Sequence, residues 1–420
     1  MQLKILIINN YLTFAFREKI VLLLIALYYL SVVIVAGGTI NAFNKLIYPI
    51  YVILISFTFI FQYSIKDLTL EIRKINTSIM LISIFLMYSI FINYSHLNIL
   101  WFLGDFAVFV GILMSIIVGN TITFFKDEER FLSFVIYFLF FIMILDPLLN
   151  FTSDINSSSD NLLLRLFSRL TIVPTFFAWQ YFKNKKNIFL YLYILCLFLS
   201  IISNMRYSFI TTVLVFLIFF FHYNKNDIKS YLNFKNFIYL MSFMTISIFL
   251  LINIELFQQW RFLKLFISPD VGQMSGLFEI IGGRYFEAVD TLSHINNTLN
   301  PFTLFFGNGF GAAYVVESFW QWGLFDWFDS SLISSDFRRH IIHIGPLRVF
   351  FRYGLLGIIL VGKIFYDVFS FLLYEKDKSD IQFFISIVLF FMLIRFFIQP
   401  VFNDIISSLL IIIFYNLKSK

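Results

Sequence analysis

Long apolar runs, recurring between short polar breaks, constrain this chain more than any other feature. Runs such as 20–36 and 207–221 are apolar on every face, so they fit neither an amphipathic surface helix nor a strand that alternates apolar and polar residues. Of the 420 residues, 60% are hydrophobic and only 13% are charged. A soluble domain has no way to hide that much apolar surface, whereas a bilayer accepts it. A membrane-spanning helix uses about 20 apolar residues, so twelve would take up roughly 240. The polar breaks predict spans near 20–36, 46–65, 77–92, 99–118, 131–149, 162–182, 187–203, 207–223, 236–253, 345–373, 381–399 and 402–417. The expected fold is all-α: one polytopic transmembrane domain over 1–420 with about 12 transmembrane helices. Cys196 is the single cysteine and lies in an apolar run, so neither a disulfide framework nor a thiolate metal cluster can form.

The formal net charge of +6 is informative through its distribution. With a cytoplasmic N-terminus, the cytoplasmic segments hold eighteen basic residues, among them Lys4, Arg17 and Lys19, Lys183, Lys185 and Lys186, and Lys418 and Lys420. The short loops on the other side hold Lys45, Arg206 and little else. This positive-inside asymmetry supports an even span count with both termini cytoplasmic. The first apolar run is read as an uncleaved helix rather than a signal peptide, because many spans follow it. The basic excess thus reports topology, and no nucleic-acid partner is expected.

One external segment, 254–344, breaks the rhythm of short loops. It contains Trp260, Trp320, Trp322, Trp327 and many Phe residues, too apolar for a solvated linker. Helices are predicted over 255–267, lying in the membrane interface, and over 284–294 after the flexible pair Gly282 and Gly283. Gly307, Asn308, Gly309 and Gly311 form a turn whose backbone can approach a ligand closely, and a third helix is expected from Ser334 or Ser335. No internal repeat is visible, which weighs against a carrier built from related halves.

Charged residues near lipid generally face a cavity, pair, or snorkel to the interface. Arg165 and Arg169 near the outer end of one span, Arg206 at an outer turn, and Arg284 at the head of a loop helix could together form an external cationic pocket. A guanidinium fork suits phosphate oxygens, whereas snorkelling is the plainer account of Arg165 and Arg169. On a continuous helix, Asp336, His340 and His343 would share a face. They could hold a metal, or His343 could act as a base toward a sugar hydroxyl; of the two, the base is favoured. Trp320, Trp322, Trp327 and Phe328, set among Glu317, Asp326 and Asp329, suit sugar stacking and equally an interfacial aromatic belt. Asp105 and Arg395, inside apolar spans, raise the question of a proton or ion path. A Walker loop, a dinucleotide fingerprint and a Ser-centred elbow are missing from the sequence.

Three features resemble the Wzy-type O-antigen polymerases and the related O-antigen ligases. They are the plan of about a dozen spans with one long loop before the last three, the pair "GGRYFEAVDTL" and "LFFGNGFGAAY", and "HIGPLRVFFRYGLLG" with His343, Leu347, Gly354 and Gly357 in the family's spacing. Arg206, after "SN", matches an arginine that in the ligases holds a lipid diphosphate. Ile344 stands where the family has asparagine. The resemblance implies a glycosyltransferase of the bacterial inner membrane, working without a metal or cofactor, with 254–344 as a periplasmic loop. It would join undecaprenyl-diphosphate-linked oligosaccharides, one as donor and one as acceptor. It further implies His343 and Arg284 as catalytic residues and Arg206, Arg284, Arg338, Arg339 and Arg348 as diphosphate ligands. The bilayer and a chain-length regulator protein are the other partners it suggests. A ligase passing polymer to lipid A core, and a flippase for the same lipid-linked sugar, are the alternatives.

Overall fold

A computed structural model of the chain describes residues 16–35, 68–96, 98–121, 127–150, 172–202, 206–224, 283–316, 338–340, 342–375, 378–397 and 405–418. Among these the protein is mostly helical, as expected. The helices are α1 (Phe16–Val35), α2 (Leu68–Asn93), α3 (Ile99–Thr121), α4 (Glu128–Asn150), α5 (Ile172–Asn184), α6 (Asn187–Ile202), α7 (Arg206–Tyr223), α8 (Gly283–Thr298), α9 (Pro301–Phe306), α10 (Gly345–Tyr374), α11 (Asp380–Phe396) and α12 (Ile405–Lys418). Helices coincide with ten of the twelve expected spans. The stretches 46–65, 162–171 and 236–253, with the interfacial helix expected over 255–267, lie outside the described residues.

By length and composition two of these helices can cross a membrane, Ile99–Ile117 within α3 and Gly345–Tyr374. Shorter apolar helices are Thr77–Asn93, Asn187–Leu197, Thr211–Tyr223 and Ser407–Lys418. On α2, Met80, Ile84, Met87 and Phe91 are all exposed. Spaced at i, i+4, i+7 and i+11, they form one continuous apolar stripe, a pattern that water penalises and hydrocarbon does not.

The chain divides into two compact units, Met1–Ser159 with Ala288–Lys420, and Asp160–Glu287. In the second, α5, α6 and α7 pack on one another. Phe182 and Tyr193 meet Phe216 with ring centroids 4.9 Å apart in both cases, and the Trp179 indole donates to the Tyr223 hydroxyl at 3.1 Å. In the first, α12 lies along α3, α10 packs on α3, α9 and α11, and α1 packs on α4. Local chemistry sets the short elements. Asn300 caps α9 by accepting from the Phe302 and Thr303 amides while Thr303 returns the bond, and Pro301 pre-sets the first turn. Ser379 and Gln382 form the same reciprocal box at the head of α11.

The loop helix expected over 284–294 is present as α8. The third one is corrected: residues 338 and 339 form strand β2 (Arg338–Arg339), antiparallel to β1 (Tyr314–Val315), with Tyr314 opposite Arg339 and Val315 opposite Arg338. Backbone pairing to a distant segment takes precedence here over the weak local preference for helix.

Candidate functional site

The glycine-rich turn after α9 is the hub of the described site. Gly307, Gly309 and Gly311 have φ of 69°, 82° and 77°, values glycine adopts freely and other residues rarely. The turn settles against α2, α3 and α10, and every backbone N–H from 307 to 312 finds an acceptor. Gly307 donates to the Thr303 carbonyl at 2.8 Å, Asn308 to Phe351 at 2.7 Å, and Gly309 to Arg352 at 3.1 Å. Phe310 donates to Ser89 Oγ and Gly311 to Asp105 Oδ2, both at 2.9 Å, and Ala312 to the Gly309 carbonyl at 3.3 Å. The carbonyls are held too: the Tyr88 hydroxyl donates to Gly307 O at 2.9 Å, and Asn93 Nδ2 donates to Asn308 O at 2.9 Å and Phe310 O at 3.3 Å.

Helix α10 is built to receive this turn. At Gly354 its backbone leaves the helical region, with φ 61° and ψ −155°, a conformation essentially reserved for glycine. A break there takes the regular i+4 partners away from the carbonyls just before it, and those of Phe351 and Arg352 accept from the turn instead. Space is equally tight: a Cβ on Gly354 would lie 2.5 Å from the carbonyl carbon of Phe305. Phe310 plugs the junction, fully buried among Phe85, Phe102, Phe106, Phe109 and Tyr353, with centroids 5.6–5.9 Å away.

Beneath the turn lies Asp105, two turns into α3 and wholly buried. One carboxylate oxygen accepts from the Gly311 amide and pairs with His340 Nε2 at 3.0 Å. The other accepts from Arg352 Nη1 and stands 3.6 Å from Arg348 Nη2. Arg352 Nη2 also donates to the His340 carbonyl, and the Tyr353 hydroxyl donates to the Asp105 carbonyl at 3.0 Å. Trp101 stacks on the His340 ring at 5.0 Å. Burial, reinforced by the neighbouring Arg352 charge and only partly offset by Asp105, pushes the His340 pKa down to about 3. The imidazole is therefore neutral, and its Nε2–H donates to the carboxylate. One carboxylate then faces two guanidinium groups, which leaves a net positive charge among these described groups. Arg352 is fully buried and Arg348 keeps 12% of its side chain exposed, so the surplus is presented at Arg348.

The other expected site residues are placed as follows. His340 and His343 do not share a helical face, because no helix runs through them. His340 is locked on Asp105, whereas His343 is half-buried in the irregular segment leading into α10. Arg338 and Arg339 occupy consecutive strand positions and so point to opposite faces, Arg339 being the buried one. Arg206 heads α7 and Arg284 is the second residue of α8. Their side chains, with Arg165, Arg169, Asp336 and the tryptophan cluster 320–327, lie outside the described residues. The gathering of Arg206, Arg284 and His343 into one pocket is thus not among the arrangements described. Among the described residues no group of three or more His, Cys, Asp and Glu is positioned for a metal ion.

Arg352 escaped notice in the sequence, and Asp105 was noticed without its partners. Their signal was charge matching, since a lone aspartate in one apolar run and an arginine pair in another need each other. No family model matches the chain, and no curated protein and no solved structure matches it either.

Proposed function

We propose that the chain is a polytopic membrane glycosyltransferase of the O-antigen polymerase type. On this proposal it acts in the outer leaflet on polyprenyl-diphosphate-linked oligosaccharides, with both termini in the cytoplasm. One observation carries the proposal. The two sequence stretches that resemble that family, 304–314 and 343–357, pack directly on each other and surround an arginine cluster with surplus positive charge at Arg348.

In the reaction, the acceptor sugar hydroxyl attacks the anomeric carbon of the donor. The bond from that carbon to the diphosphate oxygen breaks, and the diphosphate leaves with both electrons. Its charge needs fixed cations, a role that suits Arg348; the family resemblance gives the same role to Arg206 and Arg284. His343 accepts the hydroxyl proton, its half-buried position leaving it nearer to solvent than His340, which is engaged by Asp105. Arg338, exposed more than Arg339, is the better placed of that pair to meet substrate.

The test is purified protein in lipid, given synthetic undecaprenyl-diphosphate-linked repeat units. A ladder of products is expected, and it should persist with chelator. Arg348→Ala should lower kcat/KM about 100-fold, the scale of losing one charge-stabilising donor, and Arg348→Lys should recover part of it. Translocation of the labelled lipid without any polymer, or a ladder unchanged by Arg348→Ala at equal protein level, overturns the assignment.

A further inference from the structure

We infer that α9 and the turn that follows it form a re-entrant element. It dips below the outer membrane surface, and the exposed face of α9 is covered by the acyl chains of the outer leaflet. This rests on the membrane-embedded reading of the protein.

Three helices give the depth independently. Phe306 at the end of α9 packs on Phe85 and Tyr88 of α2, with centroids 5.2 and 5.3 Å apart. These residues precede the helix end at Asn93 by eight and five positions, about 12 and 8 Å along the axis. On α3 the turn bonds to Asp105, six residues beyond Ile99, about 9 Å in. On α10 it bonds to the Phe351 and Arg352 carbonyls, six and seven residues beyond Gly345, about 9 to 11 Å in. Three registers therefore put the tip of the turn roughly 10 Å inside the ends of the helices around it.

Irregular backbone survives at such depth only where protein satisfies its polar groups. The unbroken set of acceptors for the N–H groups of 307–312 meets that demand, although a turn facing water would have no need of it. Meanwhile Phe302 and Phe305, one turn apart on α9, point away from the protein, 67% and 52% exposed. Large aromatics held outward at hydrocarbon depth fit acyl chains.

The experiment places nitroxide labels at Phe302→Cys and Phe305→Cys in a Cys196→Ser background, in lipid nanodiscs, and compares collisions with oxygen and with a water-soluble nickel chelate. Met87→Cys on the exposed stripe of α2 is the lipid reference and Lys185→Cys, between α5 and α6, the aqueous one. Both α9 labels should favour oxygen as Met87→Cys does, and fluorescence of Phe302→Trp should be quenched by brominated acyl chains. Chelate accessibility like that of Lys185→Cys, or labels immobilised and reached by neither reagent, overturns the inference while Met87→Cys remains in lipid. If Met87→Cys is itself reached by the chelate, the membrane reading fails and the inference goes with it.

Discussion

Asp105→Asn probes the central interaction of the site, because asparagine keeps the shape while removing the charge and one of the two accepting oxygens. In the folded protein the carboxylate accepts from three donors, Arg352, His340 Nε2 at 3.0 Å and the Gly311 amide at 2.9 Å, and forms an ion pair with Arg348 at 3.6 Å. An amide keeps a single accepting oxygen and turns an N–H₂ group toward at least one of those donors. Arg352, with no exposed surface, would be left as a buried cation facing no carboxylate. Removing one partner of a buried pair costs about 3–5 kcal/mol, a large share of the roughly 5–15 kcal/mol that usually holds a domain together. Replacing both partners by neutral groups costs less, because no uncompensated charge remains. Asp105→Asn should therefore unfold at a clearly lower temperature in detergent than the parent, and Asp105→Asn with Arg352→Gln should recover part of the loss. The two single variants and the double variant form a cycle whose coupling should exceed about 1 kcal/mol. Additive losses, or an unchanged Tm for Asp105→Asn, would refute the claim that this pair anchors the turn to α3 and α10.

Two further outcomes follow from the same geometry. Gly354→Ala should destabilise by more than the about 1–3 kcal/mol expected from backbone strain alone, since its Cβ would also meet the Phe305 carbonyl at 2.5 Å; equal Tm values for parent and variant would contradict the kinked packing of α10 on α9. The folded-state pKa of His340, about 3, lies below its ordinary value of 6.5, so the unfolded chain takes up this proton first. The stability it contributes is complete above about 6.5 and is lost progressively as pH falls from there toward 3. Thermal unfolding between pH 7 and 5 should show that decline, and His340→Gln, which keeps an N–H donor and cannot titrate, should flatten it; an identical slope in parent and variant would remove His340 from the account.

How much of this was legible in the sequence follows from how far apart the interacting residues are. Apolar runs and their breaks are local, so the helices were placed to within a few residues at α3, α7 and α10. The turn at 307–311 was also legible, since three glycines in five positions leave few other conformations. The partners of those features were not. Asp105 is separated from His340 by 235 positions and from Arg352 by 247, and no periodicity spans such distances. The strand at 338–339 was misread as helix for the same reason, its conformation being set by Tyr314 and Val315 across the ladder. Yet charge in an apolar run carries long-range information of its own. A lone Asp105 in α3 has no opposite charge on its own helix, and the Arg348–Arg352 pair one turn apart in α10 has none within reach on its own, since Asp367 lies fifteen residues beyond Arg352 and is taken by Lys363; burial near lipid demands a partner. Matching unpaired charges between apolar helices would have brought α3 to α10, and with them the glycine turn that their contact encloses.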